Sequence, residues 1–145
     1  MADIFSTLEV GQVVGEETYV ITRDTLVRYA GASGDFNPIH YRDDVAQSVG
    51  LPGVLAHGML TMGVSIQPVV NWLGSSGYVK GYGVRFTKPV IVDPQSGAKL
   101  HVIATVAEVS RNPEGGVDTA RIDLNVTSHT EEKVLGKAQV VVAPR

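Results

Sequence analysis

A chain of 145 residues is long enough for one domain with a core of its own. With 43% hydrophobic and 19% charged residues it has a globular balance, and its 12 basic residues, at a net charge of −3, form no run that nucleic acid would require. It has no cysteine, which excludes thiol catalysis, disulfides and thiolate metal sites.

The opening stretch, MADIFSTLEVGQVVGEE, carries acidic residues where a secretory leader needs basic ones and lacks a long apolar core, so the expectation is a cytoplasmic protein. TYVIT (18–22) alternates and is rich in β-formers, predicting a short strand. A helix is predicted next, with Thr22 as N-cap, Asp24 in the first turn, and Leu26, Tyr29 and Ala30 on one face. Gly31 and Gly34 mark its end. After the loop GDFNPIH (34–40), RDDVAQSVG predicts a small helix capped by Asp43 or Asp44 and closed by Gly50, and LPG reads as a turn.

Residues 45–79 contain no Asp, Glu, Lys or Arg. A membrane span is not the reading, because His57, Gln67, Asn71, Pro52 and Pro68 interrupt the roughly 18 apolar residues that crossing needs. The pattern instead predicts a helix from Gly58 to about Leu73, kinked or ended by Pro68 and covered on most of its faces. From there the period changes to two. Strands are predicted over 79–92, 98–111, 117–129 and 132–144, separated by DPQSG, NPEGG and HTEE. In the third, Ala120, Ile122, Leu124 and Val126 face one way and Arg121, Asp123, Asn125 and Thr127 the other, which marks an antiparallel sheet covered on one side. The fold class is therefore α+β, a curved antiparallel sheet wrapped around a long central helix, in a single domain over 1–145 with no repeat or linker.

The loop holds two groups that move protons, Asp35 and His40, with Asn37-Pro38 between them. Pro38 fixes its own φ and pushes Asn37 away from the helical region, so the loop can turn both side chains toward one point. Such a pair suits removal of a proton alpha to a carbonyl, coupled to loss or addition of water. Gly58, at the start of the uncharged helix, offers a free N–H at the positive dipole end and no side chain to obstruct a carbonyl oxygen. Spacing alone nonetheless favours a turn over a catalytic loop, because Gly-Asp-x-Asn-Pro is good turn chemistry by itself. His57 reads as a helix-entry or packing residue, and His101 and His129 as structural or surface residues. A metal site from Asp35, His40 and His57 lacks a recognised ligand spacing, so no metal is expected. Lys80, Arg85 and Lys88 read as a solvated face that could meet a phosphate.

YAGASGDFNPIHYRDDVAQSVG followed by PGVLAHGML resembles the hydratase motif of the MaoC-like, or (R)-specific enoyl-thioester hydratase, family. Within that family the likeness is nearest to the mycobacterial (3R)-hydroxyacyl-acyl-carrier-protein dehydratases. The two motifs stand in the family's order and separation, VRFTKPV fits its following strand, and the likeness spans nearly the whole chain. It implies a hot-dog fold and reversible interconversion of a (3R)-3-hydroxyacyl thioester with a trans-2-enoyl thioester and water, as in fatty-acid synthesis. It also implies that Asp35 and His40 are the catalytic pair, that Asn37 supports the loop and the substrate, and that the Gly58 N–H is the oxyanion donor. Coupled groups share their titration, so the sequence assigns neither proton to one residue. Two departures stand out: Arg42 where the family commonly has an acid, and Gly63 where some members carry a Ser on the central helix, which leaves room for a longer acyl chain or for a tunnel completed by another subunit.

No redox or metal cofactor is implied, the substrate being carried as a phosphopantetheine thioester on coenzyme A or acyl carrier protein. The expected partner is a second hot-dog subunit, identical or related, because a small sheet leaves edge strands to be paired. The alternatives are a hot-dog acyl-thioesterase, which would release free acid and thiol, and a non-catalytic acyl-binding subunit, which would lack the Asp or the His. A regulator that binds DNA would need a basic face, and none is visible.

Overall fold

Alternation of apolar and polar residues builds one sheet. The computed structural model describes residues 3–145, so Met1 and Ala2 of the opening stretch lie outside the described residues. In chain order the elements are β1 (Val13–Ile21), α1 (Arg23–Ser33), a single 3-10 turn (Pro38–His40), α2 (Asp43–Ser48), α3 (Gly58–Ser65), α4 (Gln67–Leu73), β2 (Gly77–Phe86), β3 (Ala98–Arg111), β4 (Val117–Ser128) and β5 (Leu135–Pro144). The strands lie in the order β1-β3-β4-β5-β2, every neighbouring pair antiparallel. On β4, Ala120, Ile122, Leu124 and Val126 are buried as their spacing predicts. On β3, Leu100, Val102, Ala104 and Val106 do the same. Each fully buried Val, Leu or Ile contributes about 1.5–3 kcal/mol, so this shared apolar face is the main source of stability.

The chain leaves the β1 edge, forms all its helices, and returns as β2 at the opposite edge. The helical segment must therefore cross the sheet, and α4 lies against β1, β2 and β3. The expected hot-dog architecture is the one observed. Among the described residues no helix is long and apolar enough to cross a membrane.

Several expectations need correction. The central helix is not one long rod but two helices meeting at Ile66. Pro68 has no N–H to give the Val64 carbonyl, and sits instead in the first turn of α4, where none is needed. At the break, side chains serve two other carbonyls: the Tyr82 hydroxyl donates to Met62 at 2.7 Å and the Gln67 amide to Gly63 at 3.1 Å. The Ser65 hydroxyl bonds back to the Thr61 carbonyl at 2.7 Å, which favours a bend.

Neither Asp43 nor Asp44 caps α2; its N-cap is Arg42, with no side-chain cap bond. Asp43 is engaged by Arg23 at 2.9 and 3.3 Å and by the Val54 N–H at 3.0 Å, while Asp44 pairs with Arg42 at 2.6 Å. The first strand begins five residues before the predicted 18–22. The strand predicted over 79–92 ends at Phe86, just ahead of Pro89. The α1 helix keeps its Thr22 cap and runs through Gly31 to the left-handed Gly34.

Close packing at Gly77 ties α4 to the sheet. A Cβ there would stand 2.7 Å from the Ala143 carbonyl oxygen and 2.9 Å from both Leu73 and Phe5. The backbone oxygen cannot move aside, so Gly77→Ala is expected to cost about 1–3 kcal/mol and lower the melting temperature by roughly 3 °C or more in a thermal scan.

Candidate active site

Two successive turns closed by side chains explain the spacing of the GDFNPIH loop. The Asp35 carboxylate accepts the Asn37 N–H at 3.2 Å, and the Asn37 side-chain oxygen accepts the Ile39 N–H at 3.2 Å. That second bond caps the 3-10 turn whose last residue is His40. Asn37 has φ −59° and ψ 123°, the extended backbone that a following proline requires. Asp35, Asn37, Pro38 and His40 are thus spaced by the reach of a carboxylate and an amide to backbone two residues on.

His40 is buried while the Asp35 side chain is 51% exposed, and their nearest atoms, Nε2 and Oδ2, are 4.0 Å apart. That exceeds a direct hydrogen bond and leaves the two groups facing one another across a narrow gap. The other ring nitrogen of His40 lies 2.7 Å from the Leu55 carbonyl oxygen. A carbonyl only accepts, so Nδ1 carries a proton and Nε2 is the ring nitrogen that faces Asp35.

Leu55 is placed by a short pairing of two loop segments, with Ala56 N–H donating to Val90 at 2.8 Å and Val92 N–H to Val54 at 2.9 Å. This pairing aims the chain into α3. His57 is the N-cap and Gly58 the first helical residue, and no side chain caps the helix. The first intrahelical bond is Thr61 N–H to the His57 carbonyl, so the N–H groups ahead of it sit at the positive end of the dipole. Gly58 lines a largely apolar cleft of about 300 Å³ with Leu55, Thr61, Phe86, Lys88 and Val134. A larger cleft of about 640 Å³ beside Arg23, Asp43 and Lys99 includes none of these loop residues.

The structure therefore gathers Asp35, His40 and Asn37 on one loop, with Gly58 joined to them through His57. Of the three cations singled out, Lys88 lines the cleft; Lys80 and Arg85 are exposed on β2. His101 meets Glu16 across the surface at 2.8 Å, and His129 is exposed, as expected of both.

His57 is more than a packing residue. It is fully buried, its Nε2 is 3.2 Å from the Asp35 carbonyl oxygen, and its ring stacks on His40 at 3.8 Å. Asp35, His40 and His57 offer ligand atoms within 4.8 Å of one another. The two imidazoles are stacked at 3.8 Å and tilted by only 21°, so their in-plane lone pairs run side by side rather than converging on one point as tetrahedral ligands do. The edge-on contact of Tyr29 with the His57 ring at 4.7 Å, the place of Phe86 in the cleft and the stacking of His57 escape sequence spacing because they depend on how α1, β2 and the 54–56 segment close around the loop.

Burial holds the His57 imidazole below the ordinary histidine value, with the nearby His40 adding to that and the Asp35 carbonyl and carboxylate opposing it. In the unfolded chain His57 takes a proton near pH 6.5; in the folded chain it resists. Stability is thus complete above about pH 6.5 and declines as pH falls below it. Melting temperatures measured at pH 7.5 and 5.5 should show that decline, and His57→Phe should make it smaller.

Residues 6–125 match the family described as MaoC like domain. The chain belongs to this family. As a MaoC-like domain it is 36% identical over 77 residues to 3-hydroxyacyl-thioester dehydratase X of Mycobacterium tuberculosis, covering 53% of this chain and 26% of that protein. It is 32% identical over 100 residues to the fatty acid synthase beta subunit TOXC of Cochliobolus carbonum, covering 67% of this chain and 5% of that one. The MaoC-like domain thus spans about a quarter or less of these two relatives. Among solved structures, the R-hydratase PhaJ1 from Pseudomonas aeruginosa in its unliganded form is similar, with a TM-score of 0.77 and 28% identity over 97% of this chain and 84% of that one.

Proposed function

We propose that this MaoC-like domain is a (3R)-hydroxyacyl-thioester dehydratase and trans-2-enoyl-thioester hydratase, a hydro-lyase of fatty-acid synthesis acting in the cytoplasm. The observation that carries the reading is the Asp35 carboxylate facing Nε2 of His40 across 4.0 Å, beside the uncapped start of α3 at Gly58.

In the dehydrating direction one member of the pair accepts the proton from C2. The C2–H electrons become the C2=C3 bond, the C3–O bond breaks, and the departing hydroxyl takes a proton to leave as water. Negative charge develops on the thioester oxygen, where the Gly58 N–H donates; a donor of this kind is worth about 3–4 kcal/mol. Hydration is the reverse, with water held between Asp35 and His40. Asn37 holds the loop, and neither a metal nor a redox cofactor has a part in the scheme. The acyl group arrives as a phosphopantetheine thioester of coenzyme A or acyl carrier protein, and Lys88 at the cleft offers a charge for the arm's phosphate. The names of the mycobacterial dehydratase and the Pseudomonas R-hydratase support the reading.

A second hot-dog subunit, a copy or a relative, completes the proposal. β2 is an edge strand with Tyr78 and Phe86 exposed, and Met59 and Val70 leave an uncharged stripe of the central helices open.

The test is loss of the enoyl-thioester ultraviolet absorbance when the purified protein meets trans-2-enoyl-CoA, with the product analysed. A (3R)-3-hydroxyacyl thioester supports the proposal. Free acid and free thiol would identify a thioesterase instead.

A further inference from the structure

One buried ring is left without a task by the proton-transfer scheme. His57 is 1% exposed and clamped between two aromatic neighbours: it stacks on His40 at 3.8 Å and meets the edge-on ring of Tyr29 at 4.7 Å. Its Nε2 faces the Asp35 carbonyl oxygen, so that nitrogen carries the proton. Its Nδ1 is then a lone pair, buried with no hydrogen-bond partner among the described residues. A proton there would create an N–H without an acceptor and a charge face to face with His40. The surroundings confine the ring to one neutral tautomer.

The ring also reaches both members of the pair. Among the described residues the other hydrogen bonds of Asp35 run to Ser33, at the end of α1, and to Asn37, each two residues away. The bond to His57 spans 22 residues and ties this half-exposed loop to the start of α3. On its other side the same ring supports the face of His40, whose Nδ1 is already fixed on Leu55.

We infer that His57 is a positioning residue: its neutral ring sets the gap between Asp35 and His40 by holding the backbone of one with its Nε2–H and the ring of the other with its face. This inference rests on the dehydratase reading and adds to it how that site is kept at working geometry. A displacement of about 1 Å at such a pair is enough to cost 10²-fold in rate, so the support is expected to act on kcat rather than on binding of the acyl arm.

Two variants separate the ring's two contacts. His57→Phe keeps an aromatic face on His40 and removes the N–H; His57→Gln keeps an N–H donor and removes the ring. With crotonyl-CoA as probe, His57→Phe should lose at least about tenfold in kcat with KM within about twofold, and His57→Gln should recover part of that loss. Both variants folded with kcat within about twofold of wild type would overturn the inference. Should they fail to fold, nitrogen NMR of the wild-type histidine rings decides. A neutral, Nε2-protonated His57 at pH 6.5 supports the inference, and an Nδ1-protonated or half-charged ring there overturns it. If wild type hydrates the crotonyl thioester on neither coenzyme A nor acyl carrier protein, the dehydratase reading fails, while the ring spectrum still decides where His57 places its proton.

Discussion

Asp35→Asn and His40→Asn are each expected to lower kcat/KM for trans-2-enoyl-thioester hydration by about 10²–10⁴-fold, with the loss falling on kcat. Both substitutions are chosen to spare the scaffold. Asn at 35 still presents an oxygen to the Asn37 N–H, and Asn at 40 still presents a side-chain N–H to the Leu55 carbonyl. What disappears is a carboxylate on one side of the gap and the imidazole Nε2 on the other. The double variant should be scarcely slower than either single one, because groups that act on the same water are not additive. Steady-state rates beside a thermal melt of each variant make the check. A folded Asp35→Asn protein with full activity would remove Asp35 from the mechanism.

Gly58→Ala carries the second large effect. A Cβ at this position would sit 3.0–3.3 Å from the Phe86 ring, at the residue whose N–H is proposed to face the thioester oxygen. Loss of one such donor costs about 10²–10³-fold in kcat, and a decrease of that order is expected. Phe86 is exposed and its ring can be removed without opening the core, so Gly58→Ala combined with Phe86→Ala separates two causes. If the double variant stays slow, the Cβ itself bars the oxyanion from the N–H. Recovery of activity would instead make the fault one of crowding against Phe86, and the donor would have to be sought elsewhere.

The parts of this architecture that are periodic were legible in the sequence. Burial of Ala120, Ile122, Leu124 and Val126 follows from alternation alone, and the Thr22 cap and left-handed Gly34 follow from residue type. The break at Ile66 was half legible: Pro68 announced an irregularity, but its form depends on Tyr82 and Gln67 side chains that arrive from other parts of the chain or bond backward. Asp43 misled because a good capping residue found a stronger tertiary partner in Arg23, and local preference gave way. In the candidate site the turns through Asp35, Asn37 and Ile39 could be read because each of their hydrogen bonds is made within two residues. The contact of His57 with that loop could not, since 22 residues of turn and small helix separate it from Asp35.

The strand at the β2 edge has a further consequence, for the fate of the protein in a crowded solution. Its register against β5 is interrupted twice, between Val79 and Gly81 and again between Gly83 and Arg85, and charged side chains project at Lys80 and Arg85. An unrelated extended peptide sliding along this border finds no straight row of donors and acceptors to copy, and it meets cationic side chains besides. Open-ended stacking into fibrils is thereby discouraged, and a docking strand must match the same two dislocations to gain a full set of hydrogen bonds. The irregular border offers a generic extended segment little to pair with.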